Sequence, residues 1–383
     1  MRGYSRGMLS AQDLRRTFAG RRVLVTGHTG FKGAWLCEWL LGLGAEVYGF
    51  ALPAERPSLF FELDLVHRMK HCIDDIRHLH EVEAAIRDWK PEFIFHLAAQ
   101  ALVRASYREP VQTFATNAVG TAHLLEAVRL AELPCSIVVV TTDKCYENDA
   151  AAHGGKARAF KETDPLGGHD PYSASKAMAE IVAASYRDSF FAHGTEVALA
   201  TARAGNVIGG GDWAADRIVP DCIRALSSGQ PVPVRNPAFT RPWQHVLEPL
   251  GGYLLLGAKL EEARRTKSAE EIARVAQAFN FGPEPGANRS VRDLVEEVLR
   301  HWPGKWEQVA QEKHLPEAPL LSLAIDKACN VLGWQPQWDF ATTVRETVAW
   351  YRESHARHDE SATMMEFTRG QIATYCSGGL CRC

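Results

Sequence analysis

The segment that most constrains the fold is a buried strand followed by a glycine turn and a helix near the N-terminus. The apolar run R-R-V-L-V-T-G occupies residues 21–27, the turn reads G-H-T-G-F-K-G, and a helix is predicted from Ala34 to Leu43. Glycines at such a turn allow a tight bend, close approach of the backbone to a diphosphate, and close packing of the helix on the strand. The segment therefore predicts a dinucleotide-binding turn. The residues expected to contact the cofactor here are Gly27, Thr29, Gly30, Phe31 and Gly33.

The spacing of these glycines separates the turn from two related phosphate-binding motifs. It is G-x-x-G-x-x-G, whereas most dehydrogenases carry G-x-G-x-x-G. It is not a P-loop, because Lys32 is not preceded by glycine and no serine or threonine follows it. A glycine turn alone is often only structural, so the flanking strand and helix carry the prediction.

Strand and helix patterns alternate up to residue 205. Such alternation predicts an α/β fold with a Rossmann-type doubly wound parallel sheet and right-handed crossovers. The composition then changes, with G-N-V-I-G-G-G-D-W at 205–213 and several prolines after it. The predicted plan is an N-terminal extension (1–20, with a short helix around Ala11–Phe18), a cofactor-binding domain (21–205, to which 243–275 returns), a smaller C-terminal α/β substrate-binding region (206–242 and 276–358) and a tail (359–383).

A second stretch carries groups suited to proton transfer. The apolar strand S-I-V-V-V (136–140) runs into T-T-D-K, and P-Y-S-A-S-K (171–176) opens an alanine-rich helix. Thr142, Asp143 and Lys144 follow the end of a parallel strand, where open α/β sheets bind their ligands. Tyr172 and Lys176 are spaced to share one helix face, and an ammonium lowers the pKa of a nearby phenol. A lone Y-x-x-x-K is common by chance, so its order after the glycine turn and T-T-D-K makes it a candidate catalytic pair.

The acidic residue that usually contacts the adenosine ribose is missing from the second predicted strand. That strand reads A-E-V-Y-G-F-A-L (45–52), residues 51–54 read A-L-P-A, and Glu55 comes late. Arg56 favours a 2′-phosphate, so the choice between NAD and NADP stays open at this point. Two later strand ends complete the predicted cofactor site, although small side chains there also suit plain helix–sheet packing. These residues are Asp75, Ile76, Leu97, Ala98, Ala99 and Gln100.

Three arginines in the irregular region after residue 205 are candidates for binding phosphate. Arg217, Arg235 and Arg241 follow the glycine-rich loop or lie in R-P-W-Q-H-V. A guanidinium matches phosphate oxygens in a bidentate way. Each arginine taken alone is more often part of a surface salt bridge.

Charge and hydropathy indicate no nucleic-acid or membrane partner. The chain has 383 residues, with 43 Lys and Arg against 46 Asp and Glu, for a net charge of −3. No apolar run reaches the roughly 20 residues that span a bilayer. The N-terminus M-R-G-Y-S-R-G-M-L-S lacks the apolar core of a secretory signal.

The cysteines predict free thiols and a cytoplasmic location. There are nine, an odd number in no framework spacing, which is typical of a reducing compartment. Cys376, Cys381 and Cys383 in the tail match no common metal site, and exposed thiols are expected there. His67 and His71 have a metal-like spacing without an acidic partner motif, so no metal site is predicted.

Together the motifs resemble the extended short-chain dehydrogenase/reductases that modify nucleotide sugars. The glycine turn, H-L-A-A-Q, T-T-D-K and Y-x-x-x-K carry this resemblance. The longer motifs T-T-D-K-C-Y-E-N, D-P-Y-S-A-S-K, R-A-G-N-V-I-G-G-G-D-W and R-P-W-Q-H-V-L-E-P-L are similar to the branch of that family that dehydrates CDP-glucose. The resemblance extends over about residues 20–350 and implies NAD as the cofactor.

The resemblance implies a 4,6-dehydration in three stages: oxidation at sugar C4, loss of water across C5 and C6, and return of the hydride to C6. Tyr172 would take the C4 hydroxyl proton, Thr142 would hydrogen-bond that hydroxyl, and Lys176 would hold the nicotinamide ribose. Asp143 would protonate the C6 hydroxyl and Lys144 would remove the C5 proton. These last roles require a protonated carboxyl and a neutral amine, which burial favours. If the two side chains pair as ions instead, Lys144 only stabilises the developing enolate.

The same resemblance implies a substrate, an assembly and two alternatives. CDP-glucose would be the substrate, and the chain would form a homodimer or a higher homo-oligomer through the helix of Tyr172, on its alanine-rich face from Ala177 to Ala184. A 4-epimerase or another nucleoside-diphosphate-sugar 4,6-dehydratase is the alternative enzyme, and a non-catalytic NAD(P)-binding regulator is the alternative from another class. The residues implied for the substrate are Asn206, Arg217, Arg235, Asn236 and Arg241.

Overall fold

The computed structural model describes residues 10–148, 158–192, 196–310, 321–356 and 361–378. Its centre is a seven-stranded parallel sheet with the strand order β11-β6-β5-β4-β1-β2-β3. The sheet strands are β1 Arg22–Thr26, β2 Glu46–Ala51, β3 Lys70–Ile73, β4 Phe93–His96, β5 Cys135–Val140, β6 Val197–Ala204 and β11 Ala278–Phe281. The short strands outside it are β7 Val207–Ile208, β8 Val232–Val234, β9 Thr240–Pro242, β10 Gln244–His245, β12 Asn288–Ser290 and β13 Trp306–Gln308.

Helices cover both faces of this sheet. The first group is α1 Ala11–Phe18, α2 Phe31–Gly42, α3 Leu59–Glu62, α4 Leu65–Arg68, α5 Leu79–Trp89, α6 Val103–Arg108, α7 Pro110–Phe114 and α8 Gly120–Ala131. The second is α9 Pro171–Tyr186, α10 Ile218–Ser227, α11 Leu247–Thr266, α12 Ala269–Val275, α13 Val291–His301, α14 Phe340–Ala356 and α15 Ser361–Ser377. Among the described residues, none of these helices combines the length and apolar character that crossing a bilayer requires. The doubly wound α/β fold predicted from the alternating pattern is confirmed.

The central strands are apolar throughout because both of their faces are buried. Side chains alternate between faces along a strand, so Val23 and Val25 enter one core and Leu24 enters the other. The larger core includes apolar residues of α1, α2, α11, α14 and α15, and the smaller one includes those of α5, α8 and α9. The short helix predicted around Ala11–Phe18 is present as α1, and its Leu14 and Phe18 are fully buried.

The strand order places the ligand site. The chain runs from β1 through β2 to β3 on one side, and β4 then pairs with the other side of β1. Open α/β sheets bind ligands beyond the carboxyl ends of the strands at such a reversal. The glycine turn after β1 and the residues after β4 and β5 therefore lie around one crevice.

Two features of the C-terminal part modify the predicted domain plan. Strand β11 pairs in parallel with β6, so one segment of the predicted substrate-binding region completes the central sheet. Within the predicted tail, α15 packs on the core, with Tyr375 fully buried against Trp39. Cys376 is partly buried on this helix rather than exposed, whereas Cys381 and Cys383 lie outside the described residues. The remaining domain boundaries stay predictions.

Candidate active site

A cavity of about 690 Å³ opens at the carboxyl edge of the sheet. It lies among the segments that follow β1, β4, β5 and β6, as the strand order requires. Almost every residue singled out from the sequence lines it. These are Gly27, Thr29, Gly30, Phe31, Gly33, Asp75, Ile76, Leu97, Ala98, Ala99, Thr142, Asp143, Lys144, Tyr172, Lys176, Asn206, Arg217, Arg235, Asn236 and Arg241.

Gln100 is the exception among the predicted cofactor residues. Its side-chain amide donates to the carbonyl of Leu102 and to the Thr113 hydroxyl, both at 3.0 Å. Its backbone N–H donates to Oδ1 of Asn117 at 2.8 Å, and Asn117 in turn donates to the Ser175 hydroxyl at 2.8 Å. Gln100 therefore fixes the loop after β4 to α9 and does not line the cavity.

The glycine turn is as tight as its spacing predicted. Gly27 has a φ of +75°, and a Cβ built on it would lie 2.7 Å from the backbone nitrogen of Ala98. A Cβ on Gly33 would lie 2.1 Å from the carbonyl oxygen of Gly27. Helix α2 follows with Gly30 as N-cap, and no side chain caps its first N–H groups. Unpaired N–H groups at a helix N-terminus attract phosphate.

Residues that follow β2 and β3 also line the cavity. The Thr29 hydroxyl donates to the carbonyl of Leu52 at 3.0 Å, which ties the glycine turn to the end of β2. Asp75 accepts from the Arg77 guanidinium at 2.9 Å, and this contact holds the pKa of its carboxyl below the usual range. The Arg56 guanidinium lies 4.0 Å from the centre of the Phe61 ring and outside the cavity lining. The arginine that suggested a 2′-phosphate site is therefore directed away from the cavity.

The segment after β5 brings the first catalytic candidates into the cavity. Thr142 is the N-cap of a short 3₁₀ turn, Asp143–Cys145, and its hydroxyl donates to Oδ1 of Asp143 at 2.9 Å. Asp143 is 2% exposed, and its Oδ2 has no hydrogen-bond partner among the described residues. A Cβ on Gly205 would lie 2.2 Å from that oxygen, so only glycine fits beside it. Lys144, also on the cavity wall, is partly exposed.

Helix α9 presents the second pair of catalytic candidates. It begins at Pro171, and the Asp170 side chain caps it by accepting from the backbone N–H of Ser173 at 2.9 Å. Tyr172 and Lys176 then lie one turn apart on the buried face, at 9% and 7% exposure. The predicted spacing therefore places both side chains in the same cavity as the 3₁₀ turn.

Burial dominates the ionisation of this pair. It raises the pKa of Tyr172 to about 12, although a hydrogen bond with Thr142 acts in the opposite direction. Burial also lowers the pKa of Lys176 to about 8, and the carboxylate of Glu180 raises it again in part. The Lys176 ammonium donates to the carbonyl of Val140 at 3.1 Å. The expected lowering of the Tyr172 pKa by Lys176 is therefore absent here, because the ammonium is held at a backbone carbonyl.

Two of the three arginines predicted for the substrate pair with carboxylates. Arg217 donates to Asp212 at 2.7 Å, and Arg235 donates to Asp216 at 3.1 Å. Arg104 reaches the same carboxylate of Asp216 at 2.9 Å. The wall thus offers several guanidinium groups whose positions are fixed before any ligand binds. A phosphate entering here meets oriented donors.

Some cavity residues were not identified as site residues from the sequence. Asp212 lies within the motif R-A-G-N-V-I-G-G-G-D-W, which carried the family resemblance but gave this aspartate no role. Arg104 and Asp216 carry no local signature, since they meet across 112 positions of the chain. Lys32 was used only to exclude a P-loop, yet it is a cation inside the glycine turn and lines the cavity.

Comparisons with known proteins agree with this architecture. The family model for GDP-mannose 4,6-dehydratase matches residues 24–347. CDP-glucose 4,6-dehydratase from Salmonella typhimurium is 44% identical over 342 residues, which cover 87% of this chain and 91% of that protein. UDP-glucose 4-epimerase from Mycolicibacterium smegmatis is 26% identical over 333 residues, covering 86% of this chain and 98% of that protein.

A solved structure gives the same result at the level of the fold. The dTDP-glucose 4,6-dehydratase DesIV from Streptomyces venezuelae, solved with NAD bound, has a TM-score of 0.72 at 25% identity. The alignment covers 88% of this chain and 98% of that one. The chain therefore belongs to the GDP-mannose 4,6-dehydratase family, among the extended short-chain dehydrogenase/reductases that modify nucleotide sugars.

Proposed function

We propose that this chain is an NAD-dependent hydro-lyase that converts CDP-glucose into CDP-4-keto-6-deoxyglucose and water. The observation that carries the proposal is the meeting of Thr142, Asp143 and Lys144 with Tyr172 and Lys176 in one cavity. The 44% identity to a CDP-glucose 4,6-dehydratase over most of both chains supplies the substrate. The Asp-Lys pair directly after the threonine adds an acid–base function that simple oxidation at C4 does not need.

The residues of the glycine turn fit a dinucleotide. Side chains at Gly27 and Gly33 would collide with backbone atoms within 3 Å, so the turn stays free of Cβ atoms where a diphosphate approaches. The uncapped start of α2 provides N–H donors for it, and the small Ala98 and Ala99 border the same space. These residues and Asp75 would hold NAD, which would supply the hydride acceptor for sugar C4 and the hydride returned to C6.

Proton removal from the C4 hydroxyl is assigned to Tyr172. It accepts that proton only as the phenolate, and its pKa of about 12 makes the phenol the main form at pH 7, so its own proton must first pass to solvent. The Lys176 ammonium, one turn away, stabilises the resulting phenolate when it exchanges the Val140 carbonyl for the ligand side of the cavity. Thr142 supplies a hydroxyl that orients the same sugar oxygen.

Elimination of water is assigned to Asp143 and Lys144. Oδ1 of Asp143 is fixed by Thr142, which leaves the buried, unpartnered Oδ2 to carry a proton to the C6 hydroxyl. Lys144 stands next to it in the 3₁₀ turn with its side chain on the cavity wall, where its amine is placed to take the C5 proton.

The test is incubation of the chain with CDP-glucose and NAD⁺, followed by mass spectrometry of the nucleotide sugar. Loss of one water without net NADH formation is the expected result. Asp143→Asn should lower kcat by about 10²- to 10⁴-fold, because a general acid is removed. Unchanged mass with conversion to an isomer would instead identify a 4-epimerase, an activity that needs no Asp143 and would survive the substitution. Absence of any turnover, with nucleotide binding intact, would favour the regulator.

We also infer that the protein forms a homodimer through α9 and the neighbouring α7 and α8. The face of α9 that remains open carries Met178 and Ile181, at 42% and 57% exposure, whereas Ala177 is buried within the subunit. Val111 on α7 is 77% exposed beside it. Large apolar side chains concentrated on adjacent helices favour burial against a second copy. The alanine-rich face predicted for this contact thus packs inside the subunit, and larger side chains form the open surface.

A cytoplasmic location is inferred from the thiols. All seven described cysteines are free, and four of them are buried: Cys37, Cys135, Cys145 and Cys222. Unpaired thiols in the interior are typical of proteins that remain in a reducing compartment. Fractionation of the source cells followed by activity assay tests this inference.

A further inference from the structure

Lys32 lies in the cavity but takes no part in the steps described above. It is the second residue of α2 and stands on the cavity wall beside the glycine turn. Its side chain makes no hydrogen bond or salt bridge to any of the described residues. The buried residues that follow it in α2 are almost all apolar, from Ala34 to Leu40. A lone cation at this point of an otherwise buried helix requires a partner from outside the chain.

The charges around Lys32 explain why that partner must be an anion. Positive charge at Arg217 and Lys176 opposes a charge on the Lys32 amine, whereas the carboxyl groups of Asp143 and Asp212 favour it. Asp212 already accepts from Arg217 at 2.7 Å, and Asp143 already accepts from a hydroxyl. Burial, Arg217 and Lys176 together lower the pKa of Lys32 to about 7. An added anion would relieve this repulsion.

The two buried histidines at this edge of the sheet do not balance the charge of Lys32. His28 in the glycine turn and His96 at the end of β4 are buried, and burial lowers the pKa of each to about 3, so both are neutral. The first turn of α2 contains no acidic residue and no side-chain cap. The helix N-terminus therefore adds positive potential to that of Lys32.

We propose that Lys32 binds the diphosphate of a nucleotide through a charge-assisted hydrogen bond from its ammonium. This inference rests on the proposed function, in which both the CDP-sugar and the dinucleotide carry a diphosphate. The chemistry is the same for either ligand, and binding measurements distinguish them. Arg217 on the facing wall and the N–H groups of α2 are the other donors available to such a group.

The proposal predicts that the Lys32 amine takes up a proton when the ligand binds. With a pKa of about 7, Lys32 is mostly neutral at pH 8, and a bound diphosphate raises its pKa towards the usual value. Binding at pH 8 then takes up about 0.9 proton at this amine, whereas binding at pH 6 takes up about 0.1, since the amine is already charged. Lys176, with a pKa of about 8, adds an uptake of its own, and Lys32→Arg keeps a positive charge beside it, so that variant isolates the Lys32 share.

Isothermal titration calorimetry of the full chain measures this uptake when it is repeated in buffers of different ionisation enthalpy. CDP is the probe for the substrate diphosphate, and ADP-ribose is the probe for the cofactor diphosphate. In the titration with the probe whose diphosphate contacts Lys32, Lys32→Met should weaken binding about 10- to 100-fold. The part of the proton uptake at pH 8 that is due to the Lys32 amine should also disappear. Lys32→Arg should keep the affinity and lose the same share, because a guanidinium is always charged.

Unchanged affinity and unchanged uptake in both titrations would overturn the proposal. Equal weakening in Lys32→Met and Lys32→Arg without any change in uptake would also overturn it, since only the shape of the side chain would then matter. If Lys32→Met fails to fold, the uptake in Lys32→Arg still decides. A wild-type chain that binds both probes but does not dehydrate CDP-glucose would refute the proposed function while leaving the role of Lys32 measurable.

Discussion

At the scale of single residues, burial is the largest influence on the pKa values of Tyr172 and Lys176. Tyr172 and Lys176 occupy the predicted helix face. Burial raises the pKa of the phenol and lowers the pKa of the amine, and both shifts favour the neutral form. The Y-x-x-x-K spacing could be read from the sequence because helix geometry is local. The direction of the pKa of Tyr172 could not, because it depends on how deeply α9 packs and on the contact of Lys176 with Val140.

One prediction at this scale concerns pH. The folded-state pKa of Lys176 is lowered to about 8, so its ammonium is present below pH 8 and is lost as the pH rises through that value. We expect kcat/KM to fall above about pH 8, because a neutral amine no longer stabilises the Tyr172 phenolate. In Lys176→Arg the decline near pH 8 should disappear, although the maximum rate will be lower. Repeating the pH profile in Lys32→Arg tests whether the Lys32 amine contributes to the decline. A decline near pH 8 that persists in Lys176→Arg would contradict the assignment to Lys176.

At the scale of elements, α2 shows how one helix serves both cofactor binding and packing. Its first turn approaches the glycine turn so closely that Gly33 has no room for a Cβ, whereas Gly42 at its other end has no atom within 4 Å of that position. The motif predicted the first requirement, because close helix–strand contact is what its third glycine serves. The absence of any such requirement at Gly42 is visible only in the packed structure.

These two glycines give a matched pair of substitutions in one helix. Gly33→Ala should destabilise the protein by about 1–3 kcal/mol through overpacking and should weaken NAD binding. Gly42→Ala should stabilise it by about 0.5–1 kcal/mol, since alanine favours the helical conformation and meets nothing there. Urea denaturation and NAD titration of both variants measure the difference. Equal effects of the two substitutions would argue against the tight turn.

At the scale of the whole molecule, α15 closes the core on the side of α2. The Tyr375 hydroxyl donates to the buried carboxylate of Glu248 at 2.8 Å, and the Arg369 guanidinium donates to Glu38 at 2.7 Å. The glycine- and cysteine-rich end of the chain suggested a free tail. Its attachment depends on partners more than a hundred positions away in sequence, which no local pattern reveals.

Tyr375→Phe tests whether α15 belongs to the cooperative fold. Removing the hydroxyl takes a hydrogen bond from a buried carboxylate, so the free energy of unfolding should fall by about 1.5–3 kcal/mol. Thr374→Ala on the exposed face of the same helix should change it by less than about 0.5 kcal/mol. Both values come from urea denaturation. A Tyr375→Phe protein as stable as the wild type would mean that α15 is detached in solution.

The assembly gives the last prediction. Ile181→Glu places a charge in the open face of α9 and should convert the dimer into a monomer, because an unpaired charge is costly in an apolar interface. Ala373→Glu, on an exposed position of α15, is the control and should leave the mass unchanged. Light scattering after size-exclusion chromatography measures both. A wild-type chain that is already monomeric would refute the inferred dimer.

The sequence by itself determined the features that depend on neighbouring residues. Most strands of the central sheet, the glycine turn, the position of Thr142 after β5 and the helix of Tyr172 follow from local pattern, and a parallel sheet brings their ends to one edge. Only the tertiary structure decided which distant residues lie next to each other: Gly205 lies beside Asp143, and Lys32 lies among the charged residues of the cavity. The physical reason is that burial and electrostatic energies depend on distances between segments far apart in the chain, and no local spacing encodes those distances.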